Sequence, residues 1–200
     1  MSFLENYCTF QPLSEELNKV CEPFICNDSD LCDFFAKDFI KYNQELFGKT
    51  YCFTLDENPS KIVCAFTIAN DSIKAQLIPK SDRNRLSRKV ANQKRGLKSY
   101  PAVLIGRLGV ALEFEGKGVG RELMDFIKSW FIDANNKTGC RFLVVDSYNK
   151  EHPIRYYTKN GFKFIFEDED EEKTYSGLVT EESLNTRLMS FDLILISKAH

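Results

Sequence analysis

VLIGRLGVALEFEGKGVGRELMDFIKSWF, residues 103–131, is the stretch from which the rest of the chain can be read. Val103, Leu104 and Ile105 open an apolar, β-branched run that continues through Leu108 and Val110, the pattern of a buried strand. Glu115-Gly116-Lys117-Gly118-Val119-Gly120 follows as a glycine-rich turn. Beyond it Val119, Leu123, Phe126, Ile127, Trp130, Phe131 and Ala134 recur at helical spacing. Strand, glycine turn and helix leave the N–H groups of the first helical turn pointing out of the helix end, where the dipole favours negative charge. Glycines let a bulky anion approach the backbone closely, so the expectation is a phosphate or pyrophosphate site. The alternative is a plain strand-to-helix turn. The spacing fits neither Gly-x-x-x-x-Gly-Lys-Ser/Thr nor Gly-x-Gly-x-x-Gly.

Upstream, Asn27-Asp28-Ser29-Asp30 is a strong helix start. The helix it opens carries Leu31, Phe34, Phe35, Phe39, Tyr42 and Leu46 near one face and is expected to stop at Gly48. A short helix is expected over 14–20. Residues 50–55 and 61–69 read as an antiparallel hairpin joined by a loop over 56–60. From Lys80 to Lys98 the chain turns basic: Lys80, Arg83, Arg85, Arg88, Lys89, Lys94, Arg95 and Lys98 stand against the single acid Asp82. This segment predicts a short polar helix and a loop, either a solvated face or a landing patch for a polyanion.

Downstream, 141–146 reads as a second buried strand with Ser147-Tyr148-Asn149 at its end. His152-Pro153 opens a helix that Gly161 stops, with Pro153 placed for the first helical position. Residues 162–166 read as a strand, the acidic run 167–172 as a solvated loop, 173–184 as loop or short helix, and 186–196 as a last strand. The order predicts a mixed α/β domain around a central sheet.

Two hundred residues with a net charge of −2 suit one globular domain, and overall charge does not argue for nucleic acid. No apolar run reaches about 18 residues, and the start lacks the pattern of an export signal, so a cytoplasmic, non-membrane protein is expected. Cys8, Cys21, Cys26, Cys32, Cys52, Cys64 and Cys140 are irregularly spaced, with no C-x-x-C pair and only His152 and His200 beside them. They read as reduced thiols, and no metal site is expected.

Two motifs together point to a family. Glu115-Gly116-Lys117-Gly118-Val119-Gly120 resembles the Gln/Arg-x-x-Gly-x-Gly/Ala loop of the GCN5-related N-acetyltransferases (GNAT). The strand Phe142–Asp146, then Asn149, then Tyr156-Tyr157-Thr158-Lys159-Asn160-Gly161-Phe162 resembles the family's closing motif. The resemblance spans about Asn27 to Ile196. It implies a single GNAT-like domain over 1–200, with residues 1–26 an extension outside the resemblance. Its sheet would be central, mostly antiparallel, with one splayed pair of strands and flanking helices.

The resemblance further implies acetyl-CoA as co-substrate, attacked directly by a primary amine. Leu108 and Val110 would hydrogen-bond pantetheine like an added strand. A backbone N–H near Leu108 to Val110 would meet the developing oxyanion. Glu115, Gly116, Lys117, Gly118, Val119, Gly120 and Arg121 would take the pyrophosphate, and Asn149 would touch the cofactor or order a water. Tyr157 matches the family's general acid, which protonates the departing thiolate; its other reading is a core aromatic. Glu113 is a weak candidate for the general base, and a water-relayed base or none at all is an equal alternative. Two positions depart from the pattern: Glu115 stands where Gln or Arg is usual, and Ala111 where many relatives carry Asp.

Leu31, Phe34-Phe35, the basic segment and Tyr100 to Val110 further resemble the acetyltransferase toxins that act on aminoacyl-tRNA. That subgroup implies tRNA, received on Lys80 to Lys98, and a protein antitoxin as partners; a homodimer is also allowed for. A small-amine or protein-amine enzyme, and a non-catalytic CoA-binding module, are the other readings.

Overall fold

In the structure, a computed structural model, residues 2–86, 88 and 96–197 are described. Seven strands form one sheet, ordered β1 (Cys8–Pro12), β2 (Lys49–Leu55), β3 (Asn58–Ile73), β4 (Tyr100–Val110), β5 (Phe142–Tyr148), β7 (Thr186–Asp192) and β6 (Lys163–Phe164). The pairs β1–β2, β2–β3, β5–β7 and β6–β7 are antiparallel. This is the mixed α/β, mostly antiparallel, helix-flanked sheet that the sequence implied. The chain divides into two compact units, Met1–Ala69 with Ile105–Ile127, and Asn70–Leu104 with Lys128–His200.

In the first unit, β3 is buried without a break from Ile62 to Thr67, because both faces of the strand are covered. Alternation in β2 divides its side chains between two aromatic layers. Phe53 points to Phe126 of α6 (Val119–Ile132), with ring centroids 4.9 Å apart, and Phe10 of β1 meets the same ring at 4.7 Å. Cys52 faces the other way, into a core with Phe24, Phe35, Phe39, Ile62, Ala65 and Ala111. That core is closed by one long helical stretch: α3 (Ser29–Asp33), a π-helical turn (Phe34–Asp38) and α4 (Phe39–Gln44). Asp28 caps it, its side chain accepting from Leu31 N–H.

Three expectations about this unit change. The hairpin loop is Asp56-Glu57 alone, because β3 begins at Asn58 and runs for 16 residues. The helix ends before Gly48: Leu46 takes the positive φ of 61°. Gly48 is needed for space instead, since a Cβ there would lie 2.6 Å from the Ile68 carbonyl oxygen. Finally, the first residues are part of the sheet. Ser2 caps α1 (Phe3–Tyr7), and β1 pairs with β2 along its length.

In the second unit, Phe142 and Val144 of β5 pack with Ile73, Tyr100, Ala102, Ile165 and Phe166. α5 (Lys80–Leu86) contributes Leu86 to this cluster, and α8 (Glu169–Ser176) contributes Tyr175. α8 is where the solvated acidic loop was expected. Asp168 caps it, Glu169 to Glu172 occupy the first turn where the helix dipole favours acids, and Gly177 ends it at φ 69°. Glu172 is only 4% exposed and pairs with buried Arg187 of β7 at 2.8 Å. The last strand ends at Asp192, after which Ile194–Ser197 form the short α9, and β6 keeps only Lys163–Phe164 of the strand expected over 162–166. α7 (Glu151–Lys159) starts earlier than expected, so Pro153 stands third in the helix. Its missing N–H costs nothing there, because the first four N–H groups have no partner inside a helix.

Candidate functional site

The candidate residues fall into two groups, one in each unit. Leu108, Val110 and Glu115 to Arg121 belong to the first unit; Asn149, Tyr157 and the described part of the basic segment belong to the second.

In the first unit β4 ends at Val110, and Ala111 N–H bonds to the Val63 carbonyl at 2.9 Å. Gly109 lets β4 lie against Phe24, whose ring would meet a Cβ at 3.2 Å. A 3-10 turn over Leu112–Phe114 then leads into the glycines. Gly116 and Gly118 have φ of 71° and 87°, and a Cβ on either would touch nothing within 4 Å. Backbone conformation therefore demands glycine here, and the space beside it is open. The Gly118 carbonyl accepts from Arg121 and Glu122 N–H at 3.0 and 3.1 Å, so α6 starts at Val119 with Gly118 in the capping position. Lys117 Nζ lies 5.8 Å over the Phe114 ring, and exposed Arg121 is 3.8 Å from Asp125. Cation density thus flanks the turn.

Glu115, the unusual member of the motif, accepts a hydrogen bond from the side-chain amide of Asn27. Asn27 and Glu115 are 88 positions apart, so nothing local in the sequence could have paired them. Glu113 is ion-paired with Lys61 at 3.0 Å.

In the second unit, α7 carries Tyr157. Its ring packs edge-on against Tyr156 and Phe162, with centroids at 5.1 and 5.5 Å. The hydroxyl makes no hydrogen bond to another described residue, and burial pushes its pKa up to about 12. A protonated, uncommitted hydroxyl is a proton donor. α7 is held from below by Lys128, which is buried: its ammonium donates to the Asn160 carbonyl at 2.8 Å and sits 4.5 Å over the Phe191 ring. Gly161, at φ 82°, turns the chain into Phe162. Asn149 donates to Glu169 at 2.8 Å and to the Leu184 carbonyl at 2.9 Å. With Leu184 N–H, it holds Glu169 below the usual carboxylate range.

A cavity of about 410 Å³ opens in the same unit, between Ile73, Val144, Tyr175 and Leu188, with the carboxylates of Asp71, Asp146 and Glu172 in its wall. Lys74 is the cation among its lining residues. Asp146 is exposed and has no bonded partner among the described residues.

Of the basic segment, Lys80, Arg83, Arg85, Arg88 and Lys98 are described; Lys89, Lys94 and Arg95 lie outside the described residues. Arg85 is engaged internally, with Asp82 and Glu167 each at 2.7 Å and the Ile165 carbonyl at 2.8 Å. Lys80 and Lys98 are exposed.

Comparison with known proteins gives a family model over part of the chain and similar folds over nearly all of it. Residues 84–164 match the acetyltransferase (GNAT) domain model. No curated protein sequence matches the chain. Among solved structures, a mutant of KacT is similar at 16% identity and TM-score 0.70, over 98% of this chain and 100% of that one. AtaTR bound with AcCoA gives 17% and 0.66, over 97% and 98%. AtaT complexed with acetyl-methionyl-tRNAfMet gives 17% and 0.64, over 96% and 98%. Among the described residues no helix is long and apolar enough to cross a membrane.

Proposed function

We propose that this chain, an acyltransferase carrying a GNAT acetyltransferase domain, transfers the acetyl group of acetyl-CoA to a primary amine by direct attack on the thioester. The single observation that carries the cofactor half of this reading is the turn itself: two glycines at positive φ, open to solvent, at the start of α6. Such a helix start offers N–H groups and a positive dipole end to the CoA pyrophosphate. Lys117 and Arg121 add charge, while the Asn27 amide satisfies the Glu115 carboxylate that would otherwise oppose it. Backbone groups of Leu108 and Val110 take pantetheine.

In the transfer, the amine nitrogen, deprotonated before it attacks, bonds to the carbonyl carbon, the carbon–sulfur bond breaks, the sulfur receives the Tyr157 proton, and the proton that the nitrogen then loses returns through solvent to Tyr157. Replacing Tyr157 by Phe keeps the ring packing and removes that proton. We expect acetyl-CoA affinity to hold and the transfer rate to fall by ~10²–10⁴-fold. Undiminished turnover in Tyr157→Phe would sink the assignment.

Two observations bear on the amine. The cavity bearing Asp71 and Asp146 favours a small cationic amine with an apolar body. The second reading, acetylation of aminoacyl-tRNA with a protein antitoxin as partner in the cytoplasm, draws on the likeness to AtaT and on the exposed cations at Lys80 and Lys98. Incubating the protein with cell lysate and labelled acetyl-CoA separates the two. Label in small molecules supports the first; label released from RNA by mild base supports the second.

A further inference from the structure

We propose that Cys26 and Cys32 form a reversible oxidation site whose state is read by the glycine turn; the coupling rests on the acetyl-CoA reading of that turn. The two sulfurs lie 3.3 Å apart, and Cys26 N–H donates to Cys32 Sγ at 3.2 Å. The segment between them is knit together. Cys26 Sγ reaches the Asp28 carbonyl at 3.3 Å, and Cys32 N–H donates to the same carbonyl at 3.0 Å. Both thiols are half-buried. A disulfide needs a separation of about 2.05 Å, so a small local shift closes the gap.

The location gives the pair its consequence. Residues on either side of Cys26 are tied to the approach of the glycine turn: the Ile25 carbonyl accepts from Leu112 N–H at 2.8 Å, and the Asn27 amide holds Glu115. Cys26 cannot move toward Cys32 without pulling on both ties. Losing the Asn27 contact frees a carboxylate beside the pyrophosphate, where its charge opposes the ligand. Oxidation therefore weakens acetyl-CoA binding.

The chemistry balances with a small-molecule disulfide as oxidant. Burial pushes the Cys26 thiol up to about 12, so the exchange begins at Cys32. Its thiolate attacks oxidised glutathione, forming a mixed disulfide and releasing one glutathione thiolate. Cys26 then loses its proton and attacks Cys32 Sγ, expelling the second glutathione thiolate. Two cysteine thiols are oxidised and one glutathione disulfide is reduced to two thiols.

The test uses the full chain, reduced and then equilibrated with oxidised glutathione at mildly alkaline pH. Peptide mass mapping should find a Cys26–Cys32 disulfide ahead of any pairing of the other five cysteines. Calorimetry should show roughly tenfold weaker acetyl-CoA binding in the oxidised form, equivalent to about 1.4 kcal/mol. Cys26→Ser and Cys32→Ser should each bind acetyl-CoA as the reduced protein does and ignore the oxidant. Asn27→Ala should be weakened already when reduced and change little on oxidation. Unpaired Cys26 and Cys32 after full equilibration, or oxidation that selects other cysteines, overturns the site. A formed disulfide with unchanged affinity overturns the coupling. A reduced protein that binds no acetyl-CoA overturns the reading of the turn and the coupling with it, while the mass map still decides the disulfide.

Discussion

Gly118 and Tyr157 are the residues where local chemistry is most demanding. At φ 87°, an L side chain on residue 118 costs about 1–2 kcal/mol of backbone strain, and its Cβ projects into the open space beside the turn. Gly118→Ala should lower the unfolding free energy by about that amount and weaken acetyl-CoA more than Gly139→Ala, whose site is equally open but needs no positive φ. Calorimetry beside urea unfolding reads both quantities. Tyr157 makes a different prediction. Because burial holds its hydroxyl protonated up to about 12, a pH–rate profile between pH 7 and 10 should show no loss of activity from tyrosine ionisation. A descending limb present in the parent and absent in Tyr157→Phe would mean that the hydroxyl is far less buried than its packing implies.

α8 is the element that local patterning concealed. Its acidic first turn looks solvated, yet Glu171 and Glu172 both turn toward protein. A hydrogen bond shared with the buried Asp82 carboxyl raises Glu171 to about 7, with burial and the charges of Asp82, Asp168 and Glu167 acting the same way. A folded-state pKa above the unfolded value means that this stability is fully present below about 4.5 and is lost as pH rises through about 7. Melting temperature should therefore fall between pH 6 and 8.5, and Glu171→Gln, which cannot ionise, should flatten that fall. Glu172 is held by Arg187 and by Leu188 N–H. Removing one partner strands a buried charge, so Glu172→Ala should cost about 3–5 kcal/mol in a urea titration, far more than Glu167→Ala on the exposed side.

At the scale of the whole molecule, the charge of −2 hides an uneven distribution, with cations concentrated over 80–98 and acids over 167–172. The structure shows part of that opposition cancelled internally, through Arg85 with Asp82 and Glu167. On the aminoacyl-tRNA reading, the other cations of the segment make the phosphate contacts. Neutralising Arg83, Arg88, Lys89, Lys94 and Arg95 together should then weaken tRNA binding and flatten its dependence on salt, because each lost phosphate contact removes a counterion-release contribution. Neutralising Arg85 alone, already paired with Asp82 and Glu167, should weaken that binding little. Absence of any salt-dependent tRNA binding in the parent would leave the segment as a solvated face.

Periodicity and motif spacing determined most of the architecture. Apolar runs in β4 and β5, the amphipathic α6, and the glycines at 116, 118 and 161 are consequences of local backbone and burial rules, which a sequence states directly. They were enough for the fold and for the acetyltransferase domain over 84–164. What the tertiary structure decided were pairings between distant positions: β1 with β2, Asn27 with Glu115, Asp82 with Glu171, Glu172 with Arg187, and Cys26 held against the approach to the turn. Burial is set by what folds over a residue, so the acidic run of α8 could not be told from a solvated loop until β7 was placed beside it. A side chain's charge state and its partner are properties of three-dimensional surroundings, and no period along the chain encodes them.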